Sequence, residues 1–174
     1  MFWIILLVIV AIAIIAIIAQ NAKTKKQKSE ILSDERLSGA KVFSRFINTP
    51  IAISENGYIG IIDPKTDNAK IIHIKDVNGF ELNIDGQNVA NIGGAAAGAL
   101  LFGGVGAIIG ASSKKEKITK MNLLFKVNDF NNPTIDIPLV IFKMKKGSMI
   151  YNDVSKEVQE LMSTLEIIER KSKE

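Results

Sequence analysis

From Phe2 to Ala19 the chain reads FWIILLVIVAIAIIAIIA, and Lys23, Lys25, Lys26 and Lys28 follow the run at once. No other feature constrains the fold as strongly. An eighteen-residue helix rises about 27 Å at about 1.5 Å per residue, close to the ~30 Å thickness of a bilayer's hydrocarbon core. Thirteen of these side chains are Ile, Leu, Val or Phe. Together they favour insertion by roughly 4 to 8 kcal/mol. Lysines just beyond a span are retained in the cytoplasm, so residues 1–20 are expected to be a single-pass anchor in the cell membrane. Its N-terminus would face out, and the rest of the chain would be cytoplasmic. Lys23, Lys25, Lys26 and Lys28 would set that topology and touch lipid headgroups.

The competing reading is a cleaved secretory signal. Such a signal carries basic residues ahead of its apolar core, and only Met1 precedes Phe2. Ala16-Ile-Ile-Ala19 is also a poor cleavage site, so an uncleaved anchor is expected. The chain has no cysteine, which excludes a disulfide framework, a thiolate nucleophile and any thiolate metal site. A net charge of +4 with six per cent aromatic residues presents no basic, aromatic surface of the kind that holds nucleic acid, and no nucleic-acid contact is expected.

Beyond the anchor, residues 21–40 are polar and charged and read as a basic juxtamembrane linker or a frayed helix. Strand patterns begin soon after. Ile51–Ile53 and Tyr58–Ile62 flank Asn56-Gly57, a pair that tolerates the positive φ of a tight hairpin turn. Asp63-Pro64-Lys65-Thr66-Asp67-Asn68 punctuates before Ile71–Ile74. Phe80, Leu82 and Ile84 alternate with Glu81, Asn83 and Asp85, the pattern of a half-buried antiparallel strand. Met121, Leu123, Phe125 and Val127 repeat it, as do Ile135, Ile137, Leu139 and Ile141, with Pro138 marking an edge or a bulge. The period then changes. Val154, Val158, Leu161, Met162, Leu165 and Ile168 form one stripe of an amphipathic helix, with Asn152 or Asp153 as its expected cap. Six or seven meandering strands closed by one helix make an α+β domain.

This order of elements over residues 41–170 resembles the pleckstrin-homology-like domains of bacterial proteins, with residues 171–174 as a polar tail. The resemblance implies a bent antiparallel sheet or barrel whose open end the C-terminal helix plugs. Lipid-binding eukaryotic members carry several basic residues around the first hairpin loop. The corresponding Asn48-Thr49-Pro50 has none, so phosphoinositide binding is not carried over.

Inserted in this domain, at residues 88–113, is a glycine-rich segment. No charged residue occurs from Gly86 to Ser113, and Ile92–Ala111 holds seven glycines and six alanines. Ala90, Gly94, Gly98, Phe102, Gly106 and Gly110 recur every fourth residue, which places small residues on one helix face and permits close helix contact. In water each glycine costs a helix about 1 kcal/mol relative to alanine. Such a segment needs apolar surroundings or a tight partner. A single crossing of the membrane would strand Lys114, Lys115, Lys117 and Lys120 outside. It would also part the Phe80–Ile84 strand from its natural partner at Met121–Val127. The expected form is a helical hairpin broken near Gly103-Gly104, with arms of about ten residues or roughly 15 Å, too short to span. It would dip into the inner leaflet, pack on the anchor, zip with other copies, or fold onto its own domain. Gly94, Gly98, Gly106 and Gly110 would make the close contacts, with Phe102 as the wedge at the tip.

Catalytic constellations are missing. His73 is the sole histidine and sits in an alternating strand context, so no histidine triad or conventional zinc site can be assembled. Gly103-Gly104-Val105-Gly106 lacks the Lys-Ser/Thr of a phosphate loop. Neither an enzyme nor a cofactor nor a metal is expected. Lys143, Lys145 and Lys146 read as a solvated surface or as a contact with anionic lipid. Anchor, small cytoplasmic domain and glycine zipper together are similar in layout to membrane-anchored prophage proteins that act in superinfection exclusion. That resemblance implies interference with phage DNA entry through the hairpin. The alternatives are an oligomerising envelope scaffold and an anionic-lipid-binding module.

Overall fold

Helix α1 (Phe2–Leu32) does not stop where the apolar run stops. The computed structural model describes residues 1–92 and 116–174. Within the first of these stretches the helix continues unbroken to Leu32, through polar residues for which the sequence left a linker or a frayed helix open. The cause is tertiary: the extension packs against the domain, and packing rather than propensity sets most helix lengths. Its end is fixed locally, where the Ser33 amide donates to the Ser29 carbonyl at 3.0 Å. A short 3-10 turn, Glu35–Leu37, follows. Asp34 caps it, its carboxylate accepting from the Arg36 amide at 3.0 Å.

Among the described residues ten strands follow: β1 (Lys41–Phe43), β2 (Ile51–Ile53), β3 (Tyr58–Ile62), β4 (Ala69–His73), β5 (Val77–Ile84), β6 (Gln87–Ile92), β7 (Lys117–Ile118), β8 (Met121–Val127), β9 (Thr134–Val140) and β10 (Met144–Lys145). The last element is helix α2 (Met149–Lys171). One antiparallel sheet has the order β1-β2-β3-β4, the other β6-β5-β8-β9, and β7 pairs with β10. The expected β2–β3 hairpin is present, and Gly57 alone in its turn takes positive φ, +82°. β5 and β8 pair in register, Leu82 opposite Leu123 and Ile84 opposite Met121. The Phe80–Ile84 and Met121–Val127 segments, one before and one after the glycine-rich insertion, are therefore neighbours, as the alternation implied, with β6 and β7 lying between them and the insertion. Pro138 lies on edge strand β9, and a register shift falls opposite it between Met121 and Asn122. Both devices tolerate a residue without an amide hydrogen.

One core joins both sheets to α2. Phe80 and Phe125 meet edge to face, centroids 5.2 Å apart. The predicted stripe of α2, Val154 to Ile168, is buried throughout. Four details differ from the sequence reading. The cap of α2 is Ser148, whose Oγ accepts from the Tyr151 amide at 3.4 Å, so the helix begins earlier than Asn152 or Asp153 would place it. β9 ends at Val140, so Ile141 leaves the alternation and is exposed. Residues 88–92, assigned to the insertion, belong to β6, where Ala90 is buried opposite Leu82 rather than lying on a zipper face. The β1–β2 loop runs from Ser44 to Pro50 and contains the basic Arg45.

Candidate membrane-facing site

The apolar part of α1 is covered by nothing in the described residues. From Trp3 onward the helix is long and apolar enough to cross a membrane, with a mean hydropathy of 3.0 over its most apolar window and none of that window buried. A helix that is apolar on every side matches a lipid solvent rather than an aqueous one.

Where the apolar run ends, the helix grips the domain. Ile31 and Leu37 pack with Ala52 and Ile62 as a second apolar cluster on the outer face of the first sheet. Gly60 makes this approach possible, because a Cβ at that position would collide with the side chains of Ile31 and Leu37. Polar contacts lock the register. The Ala69 amide donates to Glu30 Oε1 at 2.8 Å, Gln27 Nε2 donates to Asp67 Oδ1 at 2.9 Å, and Lys23 Nζ lies 3.1 Å from Asp67 Oδ2. Lys25 and Lys26 are exposed and Lys28 is half-buried. Of the four lysines expected to set topology, Lys23 thus also ties the helix to the β3–β4 turn. The span is joined to the domain by about 18 Å of rigid helix between Ala19 and Ile31 rather than by a flexible tether.

A second set of contacts closes the domain on the same side. Glu157, on α2, accepts the amides of Ser44, Arg45 and Phe46 at 2.8, 2.9 and 2.5 Å. Consecutive amides converging on a carboxylate make a charge-assisted nest. It fixes the β1–β2 loop against the final helix. Asn48 and Thr49 then donate to the carbonyls of Leu139 and Pro138, at 2.7 and 2.9 Å. The loop thereby bridges the two sheets beside α1. Between loop and helix lies a cleft of about 670 Å³, walled by Ala16, Ile17 and Gln20 of α1 and by Phe46, Ile141, Phe142 and Ile150.

Asp34 is the titratable group most clearly perturbed. Its bond to the Arg36 side chain, then that to the Arg36 amide, holds its carboxyl at about 2 instead of 3.8. Lys41 likewise lowers Glu160. His73 is a satisfied strand residue: its Nδ1 accepts the Lys75 amide at 3.2 Å and its ring meets Tyr58 edge-on. Among the described residues no three His, Asp or Glu side chains cluster as metal ligands would. Gly94, Gly98, Phe102, Gly106 and Gly110 lie outside the described residues.

Two antiparallel sheets with one C-terminal helix packed into their common core define a pleckstrin-homology-like domain. The family model for the glycine-zipper-containing PH domain matches residues 40–141, and the chain belongs to that family. The match takes in both four-stranded sheets, β7 and the glycine-rich insertion; β10, α1 and α2 lie outside it. No curated protein and no solved structure matches the chain.

Proposed function

We propose that this chain is a non-enzymatic, membrane-anchored protein, N-terminus outside, that uses its glycine-rich insertion to engage a membrane protein or further copies of itself. The observation that carries this reading is the β5–β8 pairing across the insertion. The chain enters an apolar, glycine-spaced segment from β6, beside β5, and returns through β7 to β8, which pairs with β5, and that sheet belongs to a domain fixed to a membrane-length helix. In this reading the segment is supplied to the same bilayer the anchor occupies. Small residues at Gly94, Gly98, Gly106 and Gly110 suit close helix contact there. PH-like domains commonly bind lipids or proteins, which fits such a role.

At the finer level we propose interference with phage DNA entry, a reading supported by the layout of anchor, small domain and zipper. The test is plating efficiency of a phage panel on a Gram-positive host expressing the full chain, with adsorption scored in parallel. A fall in plaques at normal adsorption is the expected result. It should disappear in a Gly98→Leu/Gly106→Leu variant that still folds. Unchanged plating across the panel overturns the phage role. In that case the spaced glycines favour an oligomerising scaffold, which crosslinking without phage would reveal as ordered oligomers.

A further inference from the structure

Four large apolar side chains stand in water at one end of the domain: Met149 is 81% exposed, Ile141 61%, Ile150 48% and Phe142 40%. They come from two pieces, the β9–β10 loop and the first turn of α2, and Lys143 and Lys145, both exposed, lie between the two in sequence. Scattered single apolar residues on a surface need no explanation, but a contiguous group rimmed by charge does.

Its position supplies the explanation. Ile141, Phe142 and Ile150 wall the same cleft as Ala16 and Ile17, which are the last turn of the apolar run. The tip therefore stands at the depth where the anchor passes from hydrocarbon into headgroups, and the Glu30, Gln27 and Lys23 contacts hold it there. At that depth the neighbouring phase is lipid. Apolar residues with interleaved lysines suit it doubly, because the side chains reach the acyl boundary while the ammonium groups remain among anionic headgroups. Phe130, fully exposed on the β8–β9 loop, lines a different cleft, with Ile71, Ile72 and Val127 rather than with residues of α1.

We propose that Ile141, Phe142, Met149 and Ile150, with Lys143 and Lys145, form a second membrane contact that enters the headgroup region of an anionic leaflet beside the anchor. The domain then lies on the bilayer at two points, which fixes its rotation about α1 and hence the direction in which the insertion is presented. The inference rests on the anchor reading above, and the test separates the two.

The chain contains no cysteine, so single spin labels can be placed cleanly. Full-length protein is reconstituted in vesicles of phosphatidylcholine with or without phosphatidylglycerol. Labels sit at Phe142→Cys, Ile150→Cys, Ile9→Cys within the span, and Asn56→Cys at the far end of β2. Collision with oxygen and with a water-soluble nickel complex then reports depth. In anionic vesicles, positions 142 and 150 should be shielded from nickel several-fold relative to position 56. Lys143→Glu and Lys145→Glu should each lower the docked-to-undocked ratio, by roughly fivefold per lysine removed. Labels 142 and 150 as accessible as label 56, with label 9 shielded, would overturn the contact and leave the anchor standing. Equal shielding in neutral vesicles, untouched by the charge reversals, would overturn the anionic-lipid part. A nickel-accessible label 9 would remove the anchor and the contact with it.

Discussion

Glu30, on the polar extension of α1, accepts the amide hydrogen of Ala69 on edge strand β4 at 2.8 Å. A carboxylate two residues beyond the basic juxtamembrane cluster thus faces the sheet rather than water or lipid. Anchor and domain become one body through this bond, the Gln27–Asp67 bond and the Ile31 contact.

Glu30→Ala leaves the Ala69 amide without its partner at the edge of the sheet. The expected loss is about 1 kcal/mol, the net worth of one such hydrogen bond. Thermal unfolding in detergent should show it, and limited proteolysis should show a matching rise in cleavage near Ser33.

Gly60→Val acts on the same joint by sterics. Its side chain would enter the space held by Ile31 and Leu37, and overpacking of this kind costs roughly 1 to 3 kcal/mol. Two β-branched neighbours in β3, Ile59 and Ile61, face the main core, so the sheet itself should persist. Increased hydrogen exchange confined to residues 27–37 is the predicted signature. Exchange rising equally in β5 and β8 would mean that the residue supports the core instead.

Glu157→Gln keeps the shape and removes the charge that three loop amides share. A stability loss of about 1 to 3 kcal/mol is expected. Amide exchange at Ser44, Arg45 and Phe46 should accelerate most. An unchanged melting temperature would contradict the assignment of Glu157 as the clasp between α2 and the β1–β2 loop.

Acid should loosen the 3-10 turn. The Asp34 carboxyl is depressed to about 2. A group with a lowered folded-state pKa contributes stability that is complete above its unfolded value and disappears as the pH falls through the folded value. The stability difference between the native chain and Asp34→Asn should accordingly be constant from neutral pH to about 4 and shrink towards pH 2. Because the pair is exposed, solvent screening keeps the effect small.

Much of the architecture was legible because it depends on period. Phe80/Leu82/Ile84, Met121/Leu123/Phe125 and the Val154–Ile168 stripe each bury the side chains that alternation or helical spacing selected. The joint between anchor and domain was not legible. Gln27, Glu30 and Ile31 look like ordinary polar-linker residues until β3 and β4 are beside them, and Gly60 reads as a weak point in a strand rather than as clearance for a helix. Of the membrane-facing tip only the lysines were legible as a lipid contact; its apolar part was not, since Ile141 continues a strand pattern in sequence and departs from it only where β9 ends. The apolar stripe does not point to Ser148 as a cap, because it starts at Val154 while Met149 and Ile150 lie outside it. The Asp85-Gly86 turn, both residues at positive φ, is a hairpin signal in the sequence, and it places β6 at the start of the glycine-rich insertion.

The rigid union of span and domain is best measured as a distance distribution. Spin labels at Lys25→Cys on α1 and Asn56→Cys on the β2–β3 turn, both exposed positions, would be read by pulsed dipolar spectroscopy on full-length protein in lipid nanodiscs. A single narrow distribution that broadens in Gly60→Val is the predicted result. A broad distribution in the native chain would contradict it, because the domain would then swing on a flexible tether and nothing would hold its membrane-facing end at the depth of the bilayer surface.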